Sequence, residues 1–327
     1  MSSAATAWAR FRSGVSVARV PLRWALLAIV TLSVAAAVIF FVVTARPKLP
    51  NDARGTLVFV SDRNGIDSLF VRSLPGGRER RLTDLDEPVR EPALSPDGKR
   101  VAFSVGGRLA IVNTAGGPVR IVTLGADWKD TAPAWQPDGQ AIVVAARQSD
   151  SAPRDIHLVT LDPGGEAVRL PLTDTPHLDE SQPVFSPDGR AVVFVREDSL
   201  YRLDRPEGRA RRIAGGFRRV RSPRFLPDGR VLFLWVEAKE YGIDTIDLDG
   251  KGRETLATGT EYYRTVAPSP DGRYLAATFA FDLAFHPLEA LKLQQRDELR
   301  LLDRQGTRLA ELAGSWRYAN HTADWGR

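Results

Sequence analysis

Ser186-Pro187-Asp188-Gly189-Arg190-Ala191-Val192-Val193-Phe194-Val195 sets a tight turn directly ahead of an apolar, β-branched run. Four relatives of its core recur. They are Ser95-Pro96-Asp97-Gly98, Gln136-Pro137-Asp138-Gly139, Leu226-Pro227-Asp228-Gly229 and Ser269-Pro270-Asp271-Gly272. Each residue has a job: proline presets φ for the first turn position, aspartate caps the turn locally, and glycine accepts a positive φ. Tetrapeptides of this kind arise by chance singly. Five of them, roughly 40–50 residues apart and each ahead of a strand-like run, constitute an internal repeat.

Each unit reads as four short strands. Gly55–Thr83 holds Leu57-Val58-Phe59-Val60, the turn Asp62-Arg63-Asn64-Gly65, Ser68-Leu69-Phe70-Val71, the turn Pro75-Gly76-Gly77, and Glu79-Arg80-Arg81-Leu82. Units with an added leading strand follow at 91–124, 132–173, 182–214, 222–257 and 266–313. Four strands in about 40–50 residues is the size of a propeller blade. The first unit lacks its leading strand, and His321-Thr322-Ala323-Asp324-Trp325 aligns with Thr131-Ala132-Pro133-Ala134-Trp135. A closed ring hides its edge strands. The expected fold is therefore an all-β, six-bladed β-propeller over 55–327, closed by a C-terminal strand.

The pattern Pro-x-Trp/Phe-Ser-Pro-Asp-Gly-Arg/Lys followed by an apolar strand resembles the TolB-type β-propeller repeat, which also occurs in prolyl oligopeptidases. The resemblance implies the fold and is weak for function, because this scaffold hosts many roles. Two departures are noted. No α/β domain of the TolB kind precedes the repeats, and no Gly-x-Ser-x-Gly elbow or hydrolase domain follows them.

Charge and cysteine content remove several function classes. The chain has 45 basic and 40 acidic side chains. The whole excess falls on Arg10, Arg12, Arg19, Arg23 and Arg46, so the propeller region is balanced and has no field to draw it onto nucleic acid. The absence of cysteine excludes disulfides, thiolate metal sites and cysteine nucleophiles. Trp24 to Val43 is an uncharged run long enough to cross a bilayer as a helix. Its length exceeds a signal-peptide core, which favours an uncleaved anchor. Arginines ahead of it bias the N-terminus to the cytoplasm. The expected layout is a cytoplasmic tail (1–23), one transmembrane helix (24–43), a linker (44–54) and the propeller (55–327). The protein would sit in a bacterial inner membrane with the propeller on the periplasmic or extracellular side.

In a four-stranded blade, the loops between blades share one face with the loops between second and third strands. Two insertions fall there, Gln148–Arg154 and Asp282–Arg296. Aligning the positions ahead of each inner strand gives a ring at the channel mouth: His321, Arg90, Asp130 with Thr131, Glu180 with Ser181, Arg221 and Arg264. Closure makes Arg221, Arg264, His321 and Arg90 a basic arc opposite Asp130 and Glu180, with Tyr262, Tyr263, Trp316, Tyr318 and Trp128 nearby. Such an arc suits a carboxylate on a protein partner or an anionic ligand. The alternative is that the ring pairs internally.

The four histidines, His157, His177, His286 and His321, lack paired ligand spacing, and no metal or cofactor is expected. Asp62-Arg63-Asn64-Gly65 lacks the later ligands of a calcium loop. The favoured function is a non-catalytic interaction or sensing module. The alternative is a lyase or hydrolase acting on an anionic glycan or peptide at the mouth.

Overall fold

The computed structural model describes residues 49–326, except 123–124, 126–127, 162–166, 206–207, 239, 260, 281–296 and 314–318, together with Ser33. The Trp24–Val43 run (save Ser33), the Asp282–Arg296 insertion, Trp316 and Tyr318 lie outside the described residues. Among the described residues, no helix is long and apolar enough to cross a membrane.

The chain from Pro47 onward forms one compact unit of six four-stranded antiparallel sheets. The first blade has β1 (Gly55–Ser61), β2 (Ser68–Leu74) and β3 (Arg80–Arg81). The second has β4 (Val89–Leu94), β5 (Arg100–Val105), β6 (Arg108–Asn113) and β7 (Arg120–Ile121). The third has β8 (Lys129–Trp135), β9 (Ala141–Arg147), β10 (Asp155–Leu161) and β11 (Ala167–Pro171). The fourth has β12 (Glu180–Phe185), β13 (Ala191–Arg196), β14 (Ser199–Asp204) and β15 (Arg211–Ala214). The fifth has β16 (Arg219–Phe225), β17 (Val231–Glu237), β18 (Glu240–Ile246) and β19 (Glu254–Gly259). The sixth has β20 (Tyr262–Pro268), β21 (Tyr274–Ala280), β22 (Glu298–Asp303) and β23 (Arg308–Ala313). Finally β24 (Asn320–Gly326) pairs with β1 and completes the first blade.

The Pro-Asp-Gly turns sit where the repeat requires, between the first and second strands of five blades. In the second blade Gly98 has φ +70° and donates its N–H to Ser95 O at 2.8 Å. Asp97 Oδ1 accepts the N–H of Lys99 at 3.1 Å, the local cap that aspartate provides. The same contacts recur at Asp188 and Asp271, where Oδ1 accepts from Arg190 and Arg273.

The second strand of the third blade is apolar from Ala141 to Ala146 because both faces of a blade are buried. Successive residues serve opposite neighbours. Val143 and Ala145 pack with Phe185, Val192 and Phe194 of the fourth blade, while Ile142 and Val144 pack with Leu109 and Ile111 of the second. Six such clusters, one at each junction between blades, make up the core.

At the seam Leu57 stands opposite Trp325, whose Nε1–H bonds Arg54 O at 3.1 Å. Gly55 is required there. Its φ is +125°, and a Cβ would come within 2.4 Å of Gly326 O. Asp324 Oδ2 then accepts the N–H of Leu94 at 2.7 Å and ties the closing strand to the second blade.

Every inner strand also carries a bulge or irregularity near its start. In five of them a non-glycine residue sits in the left-handed region: Glu91 (φ 52°), Ala132 (48°), Gln182 (53°), Ser222 (52°) and Thr322 (42°). A side chain there costs roughly 1–2 kcal/mol, so something must hold it. Neighbouring blades do. Ala132 N–H donates to Glu91 Oε2 at 2.7 Å, and Ser222 N–H to Gln182 Oε1 at 2.7 Å. Val266 N–H donates to Ser222 Oγ at 3.0 Å. The strain thus belongs to the repeat, spread around the channel.

Candidate functional site

The bulge positions give the strand register of the residues expected at the mouth. Arg90, Thr131, Ser181, Arg221 and His321 each immediately precede the left-handed residue of their strand, whereas Asp130 and Glu180 precede it by two. Side chains alternate along a strand, so a one-residue offset turns a side chain to the other face.

The two acids accordingly turn inward. Asp130, 3% exposed, pairs with Arg169 Nη2 of β11 at 2.6 Å. Glu180, fully buried, lies opposite Arg196 of β13 and accepts from its Nε at 2.8 Å. Glu180 also accepts from Thr173 Oγ1, and from Thr175 Oγ1 at 3.2 Å. Burial pushes both carboxyls above their ordinary range, against the pull of the paired arginines. The acidic arc expected across the channel from the arginines does not form, because each acid is held by an arginine of its own blade.

The basic side of the ring assembles at the seam, with two carboxylates interleaved. Arg264 is 55% exposed in its side chain and its Nε lies 3.2 Å from Asp297 Oδ2. Burial raises the Asp297 carboxyl, while Arg264 and His321 pull it down. His321 Nε2 lies 3.2 Å from Asp67 Oδ1, and its Nδ1 lies 3.0 Å from Thr322 Oγ1. The His321 hydrogen bond leads the causes that hold Asp67 below the ordinary aspartate value, and Arg90 adds to it. Arg90 itself is exposed and makes no hydrogen bond or ion pair among the described residues. Arg221 donates Nη1 to Tyr262 Oη and lies 4.9 Å from that ring's centroid. Asp297 feels both Arg264 and His321, and Asp67 both His321 and Arg90, so the series at the seam is Arg264–Asp297–His321–Asp67–Arg90, while Arg221 of the fifth blade stays with Tyr262.

Asp67 and Asp297 are the site residues that the ring alignment omits. Both stand one residue ahead of the third strand of their blade, β2 and β22. Aligning that loop as well as the inner strands would have found them.

The Gln148–Arg154 insertion reaches the same end of the molecule. Lys129 pairs with Asp150, Arg154 with Asp179, and Glu180 N–H donates to Arg154 O at 3.0 Å. Trp128 sits behind it, not in the seam arc: its ring meets His157 edge-on at 4.8 Å. His157 is 5% exposed, and burial beside the Arg169 charge holds its pKa down at about 4. Among the described residues, no three His, Asp or Glu side chains converge as a metal site.

No protein-family model matches the chain. Over 143 residues it is 35% identical to a TolB homologue of Chlorobium luteolum, covering 42% of this chain and 31% of that protein. The chain therefore spans about a third of the length of that curated relative. Among solved structures, TolB from Acinetobacter baumannii superposes with a TM-score of 0.66 at 18% identity, covering 88% of this chain and 70% of that one. An oligogalacturonate lyase in complex with manganese superposes at 0.58 with 16% identity, covering 83% and 77%. At such identities the superpositions speak for fold alone. Taken with the five Pro-Asp-Gly turns and the closed ring of six blades, they identify the chain as carrying a TolB-like β-propeller.

Proposed function

We propose that this chain is a single-pass protein of the bacterial inner membrane whose propeller, outside the cytoplasm, is a non-catalytic module that binds a protein partner at the seam side of its channel mouth. The layout is the one read from the sequence: tail 1–23, membrane helix 24–43, linker 44–54 and propeller 55–327. The observation that carries the binding site is the exposed pair Arg90 and Arg264 flanking His321, with Asp67 and Asp297 between them. A partner carboxylate can take the Arg90 guanidinium, which has no hydrogen-bond or ion-pair partner among the described residues, or displace the exposed Arg264–Asp297 contact. Asp130 and Glu180 stay with their own arginines and serve the framework.

Pull-down from detergent-solubilised membranes tests this. Arg90→Ala/Arg264→Ala is expected to lose a partner that the wild type retains, with the melting temperature unchanged because neither side chain is buried. Equal recovery of the same partners by both proteins would remove the seam from consideration.

One observation favours the second reading, a hydrolase. His321 contacts Thr322 Oγ1 through Nδ1 and Asp67 Oδ1 through Nε2, as a base bridging a nucleophile and an orienting acid would. The left-handed backbone at Thr322 adds nothing to that reading, since four other blades share it without the histidine. Ester hydrolysis abolished by Thr322→Val but kept by Arg90→Ala/Arg264→Ala would move the function there.

A further inference from the structure

Trp128, His157, Arg169 and the Gln148–Arg154 insertion are scattered in sequence, and the third blade gathers them around one pocket. It has a volume of about 690 Å³, within the usual span for small-ligand sites. Its wall includes Trp128, Ala152, Asp155, His157 and Arg169. The Arg169 guanidinium lies 4.5 Å from the Trp128 ring centroid, and His157 approaches the same ring edge-on.

Arg169 gives Nη2 to Asp130, which fixes the guanidinium in place. Among the described residues, its Nε and Nη1 have no hydrogen-bond partner, and neither does His157 Nδ1. Yet the Arg169 side chain is only 9% exposed and His157 only 5%. Buried polar groups left without partners are costly and uncommon in folded proteins. Here three unmet nitrogens gather around one indole in the wall of a cavity.

The chemistry of the missing partner follows. Arginine nitrogens only donate, so the ligand must supply an acceptor. An anionic acceptor makes the stronger, charge-assisted bond. Asp155 and Asp174 share the pocket wall and oppose a second negative charge. The apolar part of the ligand has Trp128, Ala152 and three prolines to lie against.

We propose that this pocket binds a small monocarboxylate whose carboxylate meets Arg169 beside His157 and whose apolar body lies against the Trp128 side of the wall. Asp130 is the positioning residue. It holds Arg169 from the inner strand and leaves the other nitrogens of the guanidinium for the ligand. The site is separate from the seam arc, and its test does not involve Arg90 or Arg264.

The probe is benzoate, with benzamide as the neutral control, titrated into the full chain carrying ¹³C at the histidine ε1 positions. His157 is assigned as the signal missing in His157→Gln. Benzoate is expected to shift the His157 signal saturably and to move its titration to higher pH, because a bound anion favours the imidazolium. Benzamide should bind at least tenfold more weakly. Arg169→Gln should lose the preference for benzoate, though it leaves Asp130 buried without its partner. Ala152→Trp therefore serves as the second variant, since it fills the pocket from the loop and leaves the ion pair untouched. It should abolish binding without lowering the melting temperature. Equal affinity for benzoate and benzamide, undiminished binding to Ala152→Trp, or no His157 response at tens of millimolar benzoate would each overturn the assignment.

Discussion

At Asp130 and Glu180 a one-residue offset along the strand places the carboxyl in the blade interior, and burial there raises its pKa against the pull of the paired arginine. His157 shows the same logic for a base. Its folded pKa of about 4 lies below the ordinary value of 6.5. The unfolded chain therefore binds more protons between these values, and stability rises with pH through that window. The contribution is fully present above pH 6.5 and lost as pH falls towards 4, and it amounts to up to about 3 kcal/mol. We expect His157→Gln to lose correspondingly less stability than wild type on acidification from pH 7 to 4.5. Urea midpoints at the two pH values measure this. Parallel losses in both proteins would mean that the imidazole is solvated or charged in the fold.

At the scale of the element, the inner-strand bulges are the joints between blades. Gln182 Oε1 is the acceptor for the Ser222 amide, and both belong to left-handed positions in adjacent blades. Removing that oxygen leaves a backbone donor unpaired, at a cost of about 1–3 kcal/mol. Gln182→Ala is thus expected to destabilise the propeller by that amount and to speed amide exchange at Ser222, while Gln182→Glu keeps an acceptor and protects the amide. Unchanged exchange in Gln182→Ala would show that the contact is not formed in solution.

The turns and apolar runs made the blades legible, because Pro, Asp and Gly each carry a fixed conformational task. The bulges were not legible, since Glu, Ala, Gln, Ser and Thr share no propensity for φ > 0 and only neighbouring blades impose it. The same distinction governs the candidate site. Arg90, Arg221 and His321 align with one another through the repeat. The offset of Asp130 and Glu180, and the seam roles of Asp67 and Asp297, depend on which face of a strand each occupies.

For the whole molecule, the ring is held at one seam. Trp325 is 5% exposed, packs into the junction of the sixth and first blades, and bonds Arg54 O. Trp325→Ala should cost about 3–5 kcal/mol by analogy with buried tryptophans elsewhere. Loss of Tm together with a broadened transition, followed by calorimetry, would mark a ring that opens before it unfolds. A change confined within about 0.5 kcal/mol, the range of surface substitutions, would place the closing strand outside the cooperative unit.

The seam also sets a clock for biosynthesis. Asp62, at the end of β1, meets Ala319 beside β24 across 257 residues of chain. At ribosomal speeds of roughly 5–20 residues per second, the first strand waits on the order of ten to fifty seconds for its partner to be made. Throughout that interval β1 presents an unpaired edge of apolar, β-branched residues. Until β24 is made, the nascent first blade is open to edge-to-edge pairing with other chains.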